Sequence, residues 1–140
     1  MARPYSRSLA LQRRIVGWAG HRVIRTYLHF KVDDGSAEQL VTLFRHHRIL
    51  ETSVAQQGCH SAELTLSRDG RRAIVTATWE DPEAYARWTG RPDRAILADE
   101  ISDLLTVPIN SSTKGSQYRI AHMALPALHN PLKQEDLRHE

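Results

Sequence analysis

Hydrophobic and polar residues alternate along four stretches of the chain with the two-residue period that is typical of β-strands. Between the second and third stretches, the pair Asp69-Gly70 favours a tight hairpin, because Gly accepts a positive φ. We therefore predict that the second and third strands are antiparallel. The four predicted strands cover residues 22–31, 59–67, 75–79 and 117–125.

Two longer stretches, residues 37–54 and 93–105, carry hydrophobic residues at the three- and four-residue spacing of amphipathic helices. The first is predicted to be one continuous helix. A further helix is predicted to begin after Asp81, because Asp is a good N-cap and the next residue, Pro82, favours the first helical position.

These elements follow one another as strand, helix, hairpin, helix and strand. The order predicts a ferredoxin-like split βαβ arrangement, an α+β fold with a four-stranded antiparallel sheet. The helices are expected to cover one face of this sheet. The other face carries Tyr27 and several β-branched or aliphatic side chains, so we predict that a second copy of the sheet covers it in a homodimer. Each subunit would then hold a pocket between its sheet and its helices.

The 140 residues, 41% hydrophobic and 25% charged, suit one soluble domain, which we expect over residues 22–125. Residues 1–21 are expected to be a basic arm. Within it, residues 6–19 would form a helix that docks on the domain or on a second subunit, or would be disordered. Residues 126–140 are expected to be a polar tail.

Charge and cysteine content exclude several classes of partner and site. The net charge of +3 is too small, and the arginines too dispersed, to predict nucleic-acid binding. No apolar stretch is long enough to predict a membrane span. The single cysteine, Cys59, excludes an internal disulfide and suits a protein of the reducing cytoplasm.

Three aromatic residues are expected to gather near one end of the sheet. Trp79 ends the third strand, and the helix that follows presents Tyr85 and Trp88 three residues apart, on one side. With Phe30 of the first strand, these rings can form a slot for a flat aromatic ligand. Ordinary core packing is the alternative interpretation of the same rings.

Two histidines on predicted strands, His60 and His122, are candidates for a general base, because imidazole titrates near neutral pH. The alternative for each is a half-buried or interface histidine. His46 and His47 are expected on the polar side of their helix, in solvent. Because they are adjacent, they point to different sides of that helix, and no further ligand is spaced to complete a metal site.

No metal and no cofactor is therefore expected. Glycine-rich phosphate-binding loops, which would indicate a nucleotide, are absent from the sequence.

Three segments carry a resemblance to a known family: Phe30-Lys-Val-Asp-Asp-Gly-Ser-Ala-Glu, Gln57-Gly-Cys-His-Ser-Ala-Glu-Leu and Trp79-Glu-Asp-Pro-Glu-Ala-Tyr85-Ala-Arg-Trp88. Over about residues 24–125, the chain resembles the antibiotic biosynthesis monooxygenase family of dimeric α/β-barrel proteins. The family includes oxygenases that convert anthrones to quinones without metal or flavin, enzymes that degrade haem, and proteins that look like polyketide cyclases.

The resemblance carries over to individual positions. In the anthrone oxygenases, the pocket is lined by a Trp, a Tyr six residues later and an Asn four residues before the Trp. These positions are Trp79, Tyr85 and Val75 here, so the Asn is replaced by an apolar residue. In the haem-degrading branch, the iron-ligating His and a first-strand Asn correspond to Ala98 and Leu28, so haem has no evident ligand.

The resemblance implies a cofactor-independent monooxygenase that oxidises an aromatic, polyketide-like phenol or anthrone with O₂. The substrate would be deprotonated in a dry pocket by a side chain, and the resulting anion would react with O₂. Two alternatives remain open, namely a cyclase or isomerase that uses the same pocket without O₂, and a non-catalytic dimeric accessory protein. The expected catalytic residues are His60, His122 and Tyr85, and the expected substrate-binding residues are Leu28, Phe30, Val75, Trp79 and Trp88.

Overall fold

The computed structural model describes residues 22–127 of the chain. The predicted helix over residues 6–19 and most of the predicted tail lie outside the described residues. The described part contains four strands, which are β1 (Ile24–Lys31), β2 (Cys59–Leu66), β3 (Arg72–Trp79) and β4 (Ser116–Arg119). It also contains five helices, which are α1 (Ala37–His46), α2 (Ile49–Val54), α3 (Pro82–Thr89), α4 (Pro92–Ile96) and α5 (Ala98–Ser102).

The four strands form one sheet in the order β2-β3-β1-β4, and every neighbouring pair is antiparallel. This topology confirms the predicted ferredoxin-like split βαβ fold. The predicted hairpin between β2 and β3 is also confirmed. Gly70 in its turn has φ +71°, and the Asp69 carboxylate accepts a hydrogen bond from the Arg71 amide at 3.0 Å.

The strand register places the apolar side chains on one face. Leu28 of β1 lies opposite Val75 of β3, and Val75 lies opposite Leu64 of β2. Two residues further along β1, Phe30 is buried, whereas the alternate residue His29 is exposed. The period-two pattern of the sequence therefore identified the inner face of the sheet correctly.

The predicted continuous helix over residues 37–54 is wrong, because the chain breaks between α1 and α2. Arg48 at the break has φ +50°, in the left-handed region that ends α-helical geometry. Gly and Asn are the usual residues for such a break, so an Arg gives no signal in the sequence. The stretch over residues 93–105 is likewise divided, between α4 and α5.

The fourth strand is also shorter than predicted, because it ends at Arg119 rather than at residue 125. β1 begins at Ile24, which is paired with Arg119, so the antiparallel ladder of β4 ends where β1 begins. One further backbone hydrogen bond joins the Ile120 amide to the Val23 carbonyl at 3.0 Å.

Helix α3 begins as the sequence predicted and is held close to the start of β2. The Asp81 carboxylate accepts a hydrogen bond from the Ala84 amide at 2.8 Å, and Pro82 is the first helical residue. The Gly58 carbonyl accepts a hydrogen bond from the Glu80 amide at 2.7 Å. A Cβ atom on Gly58 would lie only 2.7 Å from the Ala84 Cβ, so this glycine permits the close approach of α3.

Substitution of Gly58 tests this approach. Gly58 has φ +88°, so Gly58→Ala adds backbone strain of about 1–2 kcal/mol to the clash with Ala84. We expect a total loss of about 2–4 kcal/mol in the free energy of unfolding, measured by denaturant titration. Gly35→Ala is the matched control, because Gly35 has φ +77° and nothing within 4 Å of the added Cβ. Equal losses in the two variants would contradict a steric role for Gly58.

Candidate active site

A cavity of about 320 Å³ lies between the inner face of the sheet and the helices. This volume is at the lower end of the range for ligand pockets, which limits a ligand to a few fused rings. Its floor is formed by alternate residues of two paired strands. These residues are Thr26, Leu28 and Phe30 of β1, and Val75, Ala77 and Trp79 of β3.

The cavity separates two clusters of buried hydrophobic side chains. One cluster contains Phe30, Phe44 and Ile101, and the other contains Trp79 and Tyr85. All five residues also line the cavity. The core is therefore divided, and its apolar side chains form the cavity walls.

The aromatic wall is built from the strand end and the helix that follows it. The rings of Trp79 and Tyr85 have centroids 5.5 Å apart and an interplanar angle of 53°. The indole N–H of Trp79 donates to the Thr26 hydroxyl at 3.3 Å. Trp88 also lines the cavity, and the Arg91 guanidinium lies 6.0 Å from its ring centroid. The indole N–H of Trp79 is therefore satisfied within the protein, and its side chain is fully buried in the cavity wall.

Tyr85 connects the aromatic wall to the loop that precedes β4. The Gly115 amide donates to the Tyr85 hydroxyl oxygen at 2.7 Å. Two other residues of this loop, Asn110 and Thr113, line the cavity. The Ser102 hydroxyl holds the loop's beginning, because it donates to the Ile109 carbonyl and accepts from the Ile109 amide, both at 2.9 Å.

Arg94 of α4 brings a positive charge to the cavity wall. Its guanidinium Nη2 donates to the Thr113 carbonyl at 2.9 Å. Burial lowers the pKa of the Arg94 guanidinium below its ordinary value. The interaction of Arg94 with Tyr85 opposes this effect but is smaller. The neighbouring Asp93 also lines the cavity, but its two carboxylate oxygens accept hydrogen bonds from Arg91 at 3.0 and 2.7 Å.

His47 also lines the cavity, which corrects the expectation that it is simply solvated. It follows the last residue of α1, and the left-handed Arg48 comes next. Its ring Nε2 lies 2.7 Å from a carboxylate oxygen of Glu100 on α5. Because a carboxylate accepts hydrogen bonds, this contact assigns the proton to Nε2 and leaves the lone pair on Nδ1. Within residues 22–127, Nδ1 has no hydrogen-bond partner.

The two histidines that the sequence favoured do not line the cavity. His60 lies at an irregularity between Cys59 and Ser61 where β2 pairs with β3, so the regular alternation of strand faces does not apply to it. His122 is exposed and lies beyond the end of β4. Its predicted position on a strand is wrong, because β4 has no partner residues past the start of β1.

The other six predicted site residues, five expected to bind substrate and one expected to be catalytic, are brought together around the cavity. They are Leu28, Phe30, Val75, Trp79, Tyr85 and Trp88. The sequence interpretation missed Arg94, His47 and Asn110, which come from a short helix and two connections. No local pattern marks them, because only the folded chain carries these segments to the cavity.

Two further classes of site were sought in the described part of the chain. In that part, no group of three or more His, Cys, Asp or Glu side chains is arranged to hold a metal ion. None of its helices has both the length and the apolar character needed to cross a membrane.

Comparisons with known proteins relate both the sequence and the fold to others. A family model described as antibiotic biosynthesis monooxygenase matches residues 24–95. No curated protein matches the sequence.

Solved structures that share the fold include three oxygenases or proteins described as monooxygenases. A monooxygenase from the gene ActVA-Orf6 of Streptomyces coelicolor, in complex with the ligand nanaomycin D, is 25% identical with a TM-score of 0.61, over 76% of this chain and 93% of that chain. A variant of SnoaB, a cofactor-independent oxygenase from Streptomyces nogalater, is 19% identical with a TM-score of 0.56. The match covers 78% of this chain and 99% of that chain. A putative antibiotic biosynthesis monooxygenase from Nitrosomonas europaea is 17% identical with a TM-score of 0.58. The match covers 70% of this chain and 89% of that chain.

Proposed function

The chain belongs to the antibiotic biosynthesis monooxygenase family, and we propose that it is a cofactor-independent monooxygenase acting on a polyketide-like phenol or anthrone. The observation that carries the proposal is the cavity of about 320 Å³ with the rings of Trp79, Tyr85 and Trp88 in its wall. The likeness to the Streptomyces coelicolor monooxygenase, whose structure contains the ligand nanaomycin D, supports a monooxygenase that binds a small molecule in this fold.

The reaction that this cavity supports begins with loss of a proton from the substrate. Ground-state O₂ is a triplet and reacts slowly with closed-shell molecules, but an electron-rich carbanion or phenolate can transfer one electron to it. The substrate radical and superoxide then combine to form a C–O bond. Cleavage of the O–O bond with loss of water leaves a C=O group, so that R₂CH₂ and O₂ give R₂C=O and H₂O. The substrate supplies the electrons, and the protein supplies a base and a dry site.

We assign the base to His47 rather than to His60 or His122, because only His47 of the three lines the cavity. The Nε2–H of His47 is oriented by Glu100, which leaves Nδ1 as the proton acceptor. When Nδ1 accepts a proton, the ring becomes a cation, and the Glu100 carboxylate 2.7 Å from Nε2 stabilises it.

The Tyr85 hydroxyl is proposed to stabilise the substrate oxyanion. Its oxygen accepts a hydrogen bond from the Gly115 amide, so its own proton can be donated to a ligand. Tyr85 is 5% exposed, and a hydrogen bond in such a dry environment is stronger than one in water.

A homodimer is proposed as the assembly that covers the outer face of the sheet. On this face, the rings of Tyr27 and Tyr118 form an edge-to-face pair with centroids 5.6 Å apart, and Tyr118 is 61% exposed. Ile74 of β3 lies on the same face, opposite His29. A second copy of the face would bury these side chains.

Oxygen uptake tests the proposed reaction. We expect metal-stripped protein to oxidise members of a panel of anthrones and polycyclic phenols with one O₂ consumed per product. With ¹⁸O₂, one labelled atom should enter the product and the other should enter water. Trp79→Ala should abolish uptake above autoxidation, because the aromatic wall is lost. Substrate conversion that persists without O₂ would overturn the oxygenase proposal in favour of a cyclase or isomerase.

The base assignment is tested with two adjacent histidines. His47→Gln keeps the polarity and approximate size of the side chain but cannot take up a proton, so kcat should fall by roughly 100-fold or more. KM should change little, because the aromatic wall is intact. His46→Gln is the matched control and should stay within about twofold of wild type, since His46 is exposed and does not line the cavity. Equal effects of the two substitutions would refute the assignment to His47.

The proposed assembly is tested by sedimentation equilibrium. The wild-type protein should have the mass of two chains at micromolar concentration. Tyr118→Lys places a charge on the outer face and should shift the protein towards a monomer. Gln39→Lys, which adds the same charge at an exposed position of α1, should leave the mass unchanged. A monomeric wild-type protein would disprove the dimer.

A further inference from the structure

One end of the cavity carries hydrogen-bond donors from three residues. They are Tyr85, Arg94 and Asn110, and together they are called the donor end. Tyr85 and Arg94 interact electrostatically, and the same loop contacts both of them, through Gly115 and Thr113. The donor end therefore adjoins the aromatic wall.

The acceptors at the donor end are already occupied by the protein. The Tyr85 hydroxyl oxygen accepts from the Gly115 amide at 2.7 Å, and the Thr113 carbonyl accepts from Arg94 at 2.9 Å. The Asn110 side-chain oxygen accepts from the Ser112 amide at 2.8 Å. That last bond also fixes the orientation of the Asn110 side chain, because the backbone N–H can only donate.

The remaining hydrogen-bonding capacity therefore consists mainly of donors. Tyr85 retains its O–H, Asn110 retains its NH₂ group, and Arg94 has further N–H groups besides the one that reaches Thr113. Among residues 22–127, no carboxylate forms an ion pair with Arg94. The carboxylate in the cavity lining, Asp93, is bound on both oxygens by Arg91.

A half-buried guanidinium without a carboxylate partner is costly, since it has lost part of its hydration. An anionic ligand would restore that interaction and would also accept from Tyr85 and Asn110. The planar guanidinium matches a carboxylate in particular, because it can donate two parallel hydrogen bonds.

We propose that the donor end binds an anionic oxygen group of the ligand, and that the substrates of this protein are aromatic acids or acidic phenols. This inference rests on the proposed function for its view of the cavity as the substrate site. It extends the proposed function in two ways: the ligand carries a negative charge, and Arg94 is the residue that selects for that charge. The apolar rings would lie along Trp79 and Trp88, with the anionic group directed towards Arg94.

Equilibrium binding measured by calorimetry without O₂ tests the proposal independently of turnover. The probes are 2-naphthoate, its neutral analogue 2-naphthamide, and 4-nitro-1-naphtholate as a phenolate. We expect wild-type protein to bind one or both anions roughly 10-fold more tightly than the amide. Preference for naphthoate would identify the group as a carboxylate, and preference for naphtholate would identify it as a phenolate. Equal affinity for all three probes would overturn the proposal.

Arg94→Met should remove the preference for the anion and leave the affinity for 2-naphthamide unchanged, because the apolar stem is retained. Arg94→Lys should retain part of the preference, which keeps the test valid if the Met variant folds poorly. Arg87→Met is the matched control, since Arg87 is exposed on α3 and does not line the cavity. An anion preference that survives in Arg94→Met would overturn the role of Arg94. Anion preference without O₂ uptake would refute only the oxygenase proposal.

Discussion

The antiparallel pairing of β1 with β3 is the constraint on which the rest of the structure depends. Its register places Leu28 opposite Val75 and Ile24 opposite Trp79, so that apolar side chains of both strands share the inner face. A shift of one residue would turn each of these side chains to the other face. The same register forms the cavity floor and determines where β3 ends. The end of β3 in turn fixes the start of α3 and hence the position of Tyr85.

The divided core shows how a small domain accommodates a cavity. The cluster around Phe30 and Phe44 and the cluster around Trp79 and Tyr85 each bury apolar surface independently. The space between them is lined by apolar side chains of both clusters, and the indole N–H of Trp79 in its wall is bound to Thr26. The walls are thus held in place by secondary structure and hydrogen bonds rather than by direct packing across the gap.

Polar groups reach this cavity mainly from its periphery rather than from its floor. Val75, at the position where the resemblance to anthrone oxygenases implies an Asn, gives the floor an apolar side chain. Charge and proton-transfer groups come instead from helix ends and connections, as His47 and Arg94 illustrate. The arrangement separates an apolar surface that can hold aromatic rings from the polar groups that can act on them. It also places the ionisable side chains where solvent reaches them in part, which lowers the cost of their charge.

The sequence by itself determined the features that depend on neighbouring residues. Strand alternation identified the inner face, and Asp81-Pro82 identified the start of α3. The aromatic wall was indicated by Trp79 at the end of a strand and by the three-residue spacing of Tyr85 and Trp88 on the next helix. Only the tertiary structure decided which polar groups meet that wall. His47 reaches the cavity because the chain breaks at Arg48, whose side chain gives no sign of a left-handed backbone. Arg94 becomes a half-buried cation because a loop about twenty residues later in the chain packs beside it. Such contacts join segments that are distant in sequence, and local periodicity carries no information about them.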